Sequence, residues 1–188
     1  MNKNNAAKWL KYLLYVGIGA MVNYLLATVI PAPVHNLLGY LLTAASLYLM
    51  YKLTPDNGRY YRVILFSGVS LIISALSIRV VALAGSLCAI LGQYQEYTAH
   101  GELIADRDAR LANKWGSLFW LQLAVELIGG VAITIIAGAM TAGGSVESTP
   151  IAAIATVAAS FITVILKVMY LVYLKRTIKA LETEVVVE

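Results

Sequence analysis

At 188 residues, 60% apolar and only 13% charged, the chain is far from the composition of a soluble globular domain, where apolar residues make up about 45–50%. Its net charge of +4 does not mark a nucleic-acid binder. The basic residues flank apolar stretches, where membrane orientation and anionic headgroups account for them. The single cysteine, Cys88, excludes an intramolecular disulfide, and without a CxxC, an HExxH or a histidine cluster neither a metal centre nor a cofactor is expected.

The fold expected is an all-α, polytopic integral membrane bundle of about five membrane helices, forming a single transmembrane domain over residues 1–188. A crossing takes about 20 largely apolar residues to cover roughly 30 Å of hydrocarbon. The first candidate, Trp9 to Ile30, follows Lys3, Lys8 and Lys11. That start resembles a signal peptide, but the run is long for an h-region and Pro33 after Ala32 makes a poor cleavage context, so a retained span is expected. Pro31 and Pro33 separate it from the second span, Val34 to Leu53. Thr54-Pro55-Asp56-Asn57-Gly58 forms a turn before the third, Val63 to Leu91. Residues 93–113 are polar, with Tyr94, Tyr97, Ile104 and Leu111 at three- to four-residue spacing, which predicts an amphipathic connecting helix. The fourth span is Trp115 to Thr141. A loop from Ala142 to Pro150 leads to the fifth, Ile151 to Leu174, and 175–188 make a basic C-terminal helical extension that frays at its end.

Twelve of the fourteen Lys and Arg residues form four clusters. These are Lys3, Lys8 and Lys11; Lys52, Arg59 and Arg62; Arg107, Arg110 and Lys114; and Lys175, Arg176 and Lys179. Tyr and Trp gather at the same span ends, as interfacial belts do. Five simple crossings divide the clusters evenly between the two sides, against the positive-inside rule. If the third stretch returns to its starting side, all twelve lie together. Val63 to Leu91 is only 29 residues, short for two ordinary crossings and without a Gly or Pro turn near Arg79, so a re-entrant or tilted third helix is the form expected. The localisation expected is the cell membrane, multi-pass, with a cytoplasmic N-terminus and an external 31–34 connection, which carries no Lys or Arg.

Three charges lie inside apolar stretches: Arg79, Glu126 and Lys167. Each costs about 2.5–3.5 kcal/mol or more at mid-bilayer, so pairing or a wet cavity is expected. Counted from the span ends, Glu126 matches the depth of both Arg79 and Lys167. An Arg79–Glu126 pair that fixes packing, with Lys167 reaching toward the interface, is the plain structural reading. The functional one starts from the fifth span, where Thr156, Ser160, Thr163, Lys167 and Tyr170 share one narrow helical stripe. In the fourth, Gln122, Glu126, Gly130 and Thr134 step by four. Ser67, Ser70, Ser74 and Ser77, continuing through Gly85, Cys88 and Gly92, form a small-residue stripe suited to close helix packing.

Asp106-Arg107-Asp108 with Arg110 resembles part of the acidic metal motif of the CDP-alcohol phosphatidyltransferases. That motif needs further aspartates on the next helix, where Trp115 to Thr141 offers only Glu126, so no enzyme is expected. The function expected is a small homo-oligomeric channel or pore-like protein in the lipid bilayer, with the stripe of the last helix lining a path and Lys167 biasing it against cations. The alternative is a non-catalytic scaffold or sensor subunit that docks a soluble or membrane protein partner through 93–113 and the C-terminus.

Overall fold

The computed structural model describes residues 3–76, 82–141 and 149–183. Among the described residues there are six helices and no strand: α1 (Lys3–Leu25), α2 (Ala32–Leu53), α3 (Arg59–Ala75), α4 (Ala82–Glu102), α5 (Ala109–Thr141) and α6 (Thr149–Glu182). Local chemistry sets the boundaries. Pro31 is extended, with ψ 136°, and Pro33 falls in the first turn of α2, where its missing N–H costs nothing. Asn57 Oδ1 accepts the Arg59 N–H at 2.9 Å as α3 begins. Asp108 Oδ1 accepts the Leu111 N–H at 2.8 Å and caps α5.

Each helix packs on its neighbour in sequence, and α1 also packs on α6, so the six close a ring. Neighbours run antiparallel. Along α3 and α4, Tyr60 meets His100, Ser67 meets Gly92 and Ile73 meets Gly85. Along α5 and α6, Trp115 meets Thr177 and Gly129 meets Ala159.

The expected count of about five membrane helices is therefore corrected to six helices. The stretch taken as one third span is two, α3 and α4, and the chain returns to the end it came from. Counting only apolar residues made this look too short. In the structure α3 starts at Arg59, before Val63, and α4 runs to Glu102, well past Leu91. Each helix thus takes in its polar flank, in which Tyr60, Gln95, Tyr97 and His100 are buried while Tyr61, Arg62 and Glu102 stay exposed. The serine and glycine stripe does not run along one continuous helix but opposes itself across the α3–α4 seam. Arg79 and Ser77 lie outside the described residues.

All twelve clustered basic residues now belong to one end of the ring: the start of α1, the α2–α3 turn, the α4–α5 turn and the end of α6. The buried core sits mainly at that end, with Leu10, Leu53, Tyr60, Leu103, Ile104, Trp115, Leu118, Leu174 and Leu181 almost fully enclosed. Residues 93–113 are divided between the end of α4, a turn and the start of α5, and their apolar members Tyr97, Ile104 and Leu111 are buried within the chain. Arg59 Nε donates to Glu102 Oε1 at 2.7 Å and Arg59 Nη1 to Gln95 Oε1 at 3.1 Å, latching α3 to α4. Arg107 Nη1 donates to the carbonyls of Ala180 and Leu181 at 2.8 and 3.2 Å, closing the carbonyl end of α6 with a cation where the helix dipole favours one.

Away from that end the pattern inverts, and large apolar side chains face outward. Leu37, Leu41, Ile72, Leu83, Leu87, Leu127, Ile128, Val157 and Phe161 are all exposed. Among the described residues one helical segment, Val157–Glu182, is long and apolar enough to cross a membrane, with a mean hydropathy of 2.1. Membrane association rests on that segment.

Candidate functional site

A cluster of aromatic and titratable side chains lies between α3, α4, α5 and α6, above the core. At its centre His100 is fully buried. Its Nδ1 lies 2.8 Å from the Tyr60 hydroxyl, and its Nε2 lies 3.5 Å from both Glu96 Oε1 and the Tyr170 hydroxyl. Tyr170 donates to Glu96 Oε1 at 2.5 Å. The ring nitrogens thus face a hydroxyl on one side and a carboxylate with a second hydroxyl on the other, and the donor and acceptor roles follow from the tautomer. Trp115 packs on the His100 ring at 4.7 Å between centroids, and its indole N–H donates to Thr177 Oγ1 at 3.1 Å. Tyr97 stacks on Trp115 and donates to Gln122 Oε1; Gln122 Nε2 donates to Glu126 Oε1 at 2.9 Å.

Above this aromatic floor the ring encloses polar space. A cavity of about 180 Å³ is bounded by Gly17, Ala20 and Met21 of α1, Gln93, Glu96 and Tyr97 of α4, Gln122 of α5 and Lys167 and Tyr170 of α6. It shares Ala20, Glu96 and Lys167 with a second cavity of about 320 Å³, which adds Asn23, His35, Thr43 and Ser67. That one shares His35, Gly39, Thr43 and Ser67 with a third of about 470 Å³ between α2, α3 and α4. The third is lined in part by Asn36, Tyr40 and Ser74, which are exposed. The series therefore opens toward the end of the ring remote from the basic residues, and Tyr97 and Tyr170 border its inner end, packed in turn on Trp115.

Three groups in this space lack the partners their chemistry calls for. Asn23 is 9% exposed; its Nδ2 donates to the His35 carbonyl at 3.2 Å, while its Oδ1 has no partner. The amide orientation follows from the bond made, since a backbone carbonyl cannot donate. His35 Nδ1 is also buried without a partner. Lys167, half-buried, holds its Nζ 5.2 Å from the centre of the Tyr24 ring and makes no ion pair within 4 Å among the described residues.

The residues singled out from sequence are dispersed. Lys167, Tyr170 and Gln122 border the cavity. Glu126 is exposed and bonded to Gln122; it attracts Lys167 electrostatically without an N–O contact within 4 Å. Of the five-residue stripe, Lys167 and Tyr170 border the cavity, Ser160 is exposed, Thr163 bonds back to the Ala159 carbonyl at 2.8 Å, and the Thr156 side chain lies outside what is described. The sequence reading missed Asn23, His35, Tyr60, Glu96 and His100. Glu96 and His100 carried a signal, four residues apart on one helical face, but it was assigned to a solvated surface helix.

No protein-family model, curated protein or solved structure matches this chain, so function has to be argued from the residues and their geometry.

Proposed function

We propose that this chain is a multi-span membrane protein of the transport class, in which the six antiparallel helices enclose a path for a small polar solute within one protomer. The observation that carries the reading is the inverted arrangement of polarity. Outside the core end, apolar side chains face out, while Lys167, Glu96, Gln93, Asn23 and His35 face an interior space. In water an apolar exterior of this extent would aggregate, whereas in a bilayer it is the solvated surface. Intramembrane charges and polar groups then belong around a wet cavity. Even the shortest helix, α3 with 17 residues, rises about 26 Å, close to the hydrocarbon thickness. With all twelve clustered cations at one end, that end is cytoplasmic by the positive-inside rule, which puts the cavity mouth outside and both termini inside.

A closed ring with its own interior needs no symmetry axis to make a path, so a single chain suffices. The floor of Tyr97 and Tyr170, packed on Trp115, is the gate, closed in this state. The alternative reading, a scaffold docking partners through 93–113 and the C-terminus, has less support because Tyr97, Ile104 and Leu111 of the one and Ile178 and Leu181 of the other are already buried inside the fold.

Cysteine accessibility tests the reading. In a Cys88→Ser background, a membrane-impermeant thiol reagent applied to intact cells is expected to label Thr43→Cys and Ser67→Cys, which line the cavities, and to label Lys114→Cys only after permeabilisation. Labelling of Lys114→Cys alone in intact cells reverses the orientation. Failure of both cavity positions to react under either condition removes the solute path.

A further inference from the structure

We propose that the cavity bordered by Lys167 and Glu96 is a binding site for a small zwitterion, with the ligand's anionic group on Lys167 Nζ and its ammonium group on Glu96. The proposal rests on the transport reading and adds the chemistry of what is carried. Lys167 and Glu96 border the same two cavities yet make no ion pair with each other. Each is held by something else: Lys167 by the face of Tyr24, and Glu96 Oε1 by the Tyr170 hydroxyl and the His100 ring. Two opposite charges kept apart across one enclosed space are matched by a molecule that carries both. An anion alone would satisfy Lys167 and be repelled by Glu96; a cation alone would meet the converse.

Asn23 also borders the cavity that holds both charges, but its Oδ1 is fully enclosed and its Nδ2 is engaged by the His35 carbonyl. The acceptor that a ligand ammonium meets is therefore Glu96 Oε2, which makes no hydrogen bond among the described residues, while Oε1 is held by Tyr170. The larger of the two cavities, about 320 Å³, is at the lower end of the range of small-molecule sites, and the 180 Å³ cavity adjoins it.

A zwitterion of this kind is either a free amino acid or the headgroup of a zwitterionic phospholipid. Calorimetric titration of the full chain in detergent separates them, with glycine, L-serine and 4-aminobutyrate as free zwitterions, glycerophosphoethanolamine as the headgroup, and acetate and ethylamine as the two half-molecules. At least one zwitterion is expected to bind ten-fold or more tightly than acetate and ethylamine. The free amino acids lead if the source is a solute, and glycerophosphoethanolamine leads if it is lipid. Lys167→Met and Glu96→Gln should each remove at least nine-tenths of the affinity, and Lys167→Arg should retain it, with unchanged melting temperatures confirming the fold. Acetate or ethylamine binding as tightly as every zwitterion overturns the proposal, as does binding that survives Lys167→Met. Absence of binding by all six probes overturns it as well. Should Thr43→Cys and Ser67→Cys still be labelled in that case, the solute path stands and only the ligand assignment falls.

Discussion

The indole of Trp115 and the hydroxyl of Thr177 join α5 to α6 through a hydrogen bond of 3.1 Å in which both residues are fully buried. Trp115 also packs on His100, Tyr97, Tyr170 and Tyr173, so this one bond fixes the ring around which the floor is built. Thr177→Val keeps the shape and removes the acceptor, leaving a buried N–H unpaired. A loss of about 1–3 kcal/mol follows, read as a lower melting temperature in detergent. Thr177→Ser keeps the acceptor and should stay close to the parent. Equal losses in the two variants would mean that packing and not the bond is what matters.

Gly92 and Ser67 set how closely α3 and α4 approach. A Cβ at Gly92 would strike the Ser67 side chain and come within 3.3 Å of its backbone nitrogen, and a backbone neighbour cannot rotate away. Gly92→Ala is expected to destabilise by about 1–3 kcal/mol, as overpacking does, and Gly92→Leu by more. Ser67→Ala combined with Gly92→Ala relieves the contact with the hydroxyl but not with the backbone, so the rescue should be partial. Full tolerance of Gly92→Leu, with unchanged melting, would show the two helices are free to separate.

That seam also explains how far the sequence carried. Apolar content, the clusters of cations at alternate span ends and the turn at 54–58 made an all-α, membrane-directed chain legible. The possibility of a returning third stretch was visible in the charges alone, because only then do Arg107, Arg110 and Lys114 join the other cations. What hid the hairpin was the absence of any Gly or Pro at its tip and the apolar shortness of Val63 to Leu91. Burial of Tyr60 against His100 of α4, and of Tyr97 and His100 against Trp115 of α5, is a tertiary effect with no local mark. The same effect hid the site. Glu96 and His100 look like the polar face of a surface helix until Tyr60 and Tyr170 arrive from elements 40 and 70 residues distant from His100 in sequence. Asn23 stands alone in an apolar span, and nothing local shows that it faces His35.

Asp56, in the turn between α2 and α3, gives a pH test away from the apolar zone. Burial raises its carboxyl above the usual value, and its Oδ2 is enclosed without a hydrogen-bond partner. A carboxyl whose folded pKa is raised favours the folded state while protonated. The penalty is absent below the unfolded value of about 3.9 and grows as pH rises through the folded pKa. Asp56→Asn, which carries no charge, should therefore melt higher than the parent at pH 7.5, and the difference should shrink as pH falls toward 4. A difference that is constant with pH would assign the effect to hydrogen bonding and not to ionisation.

Orientation has its own measurement. The 25–32 connection and the start of α1 are at opposite ends of the ring, and only the latter carries cations. In the Cys88→Ser background, Ala32→Cys should react with an impermeant reagent in intact cells and Asn4→Cys should not. Labelling of Asn4→Cys with protection of Ala32→Cys would invert the protein in the membrane while leaving the fold untouched.

Tyr170 decides whether the two cavity charges stay apart. Its hydroxyl holds Glu96 Oε1 at 2.5 Å, on the α4 side of the space, while Tyr24 holds Lys167 from α1. Tyr170→Phe keeps the ring that packs on Tyr97, His100 and Trp115 and removes only the tether, at a cost of about 1–3 kcal/mol for the hydrogen bond lost to a charged acceptor. Glu96 is then free to turn toward Lys167, and a direct ion pair would fill the opening that both border. The labelling rate of Ala20→Cys, on the shared wall of the two cavities, should fall several-fold in the Tyr170→Phe background. Adding Lys167→Met removes the partner and should restore the rate. An unchanged rate in Tyr170→Phe would mean that Glu96 is held by His100 without help from the tyrosine, and a rate that Lys167→Met fails to restore would mean the closure has another cause.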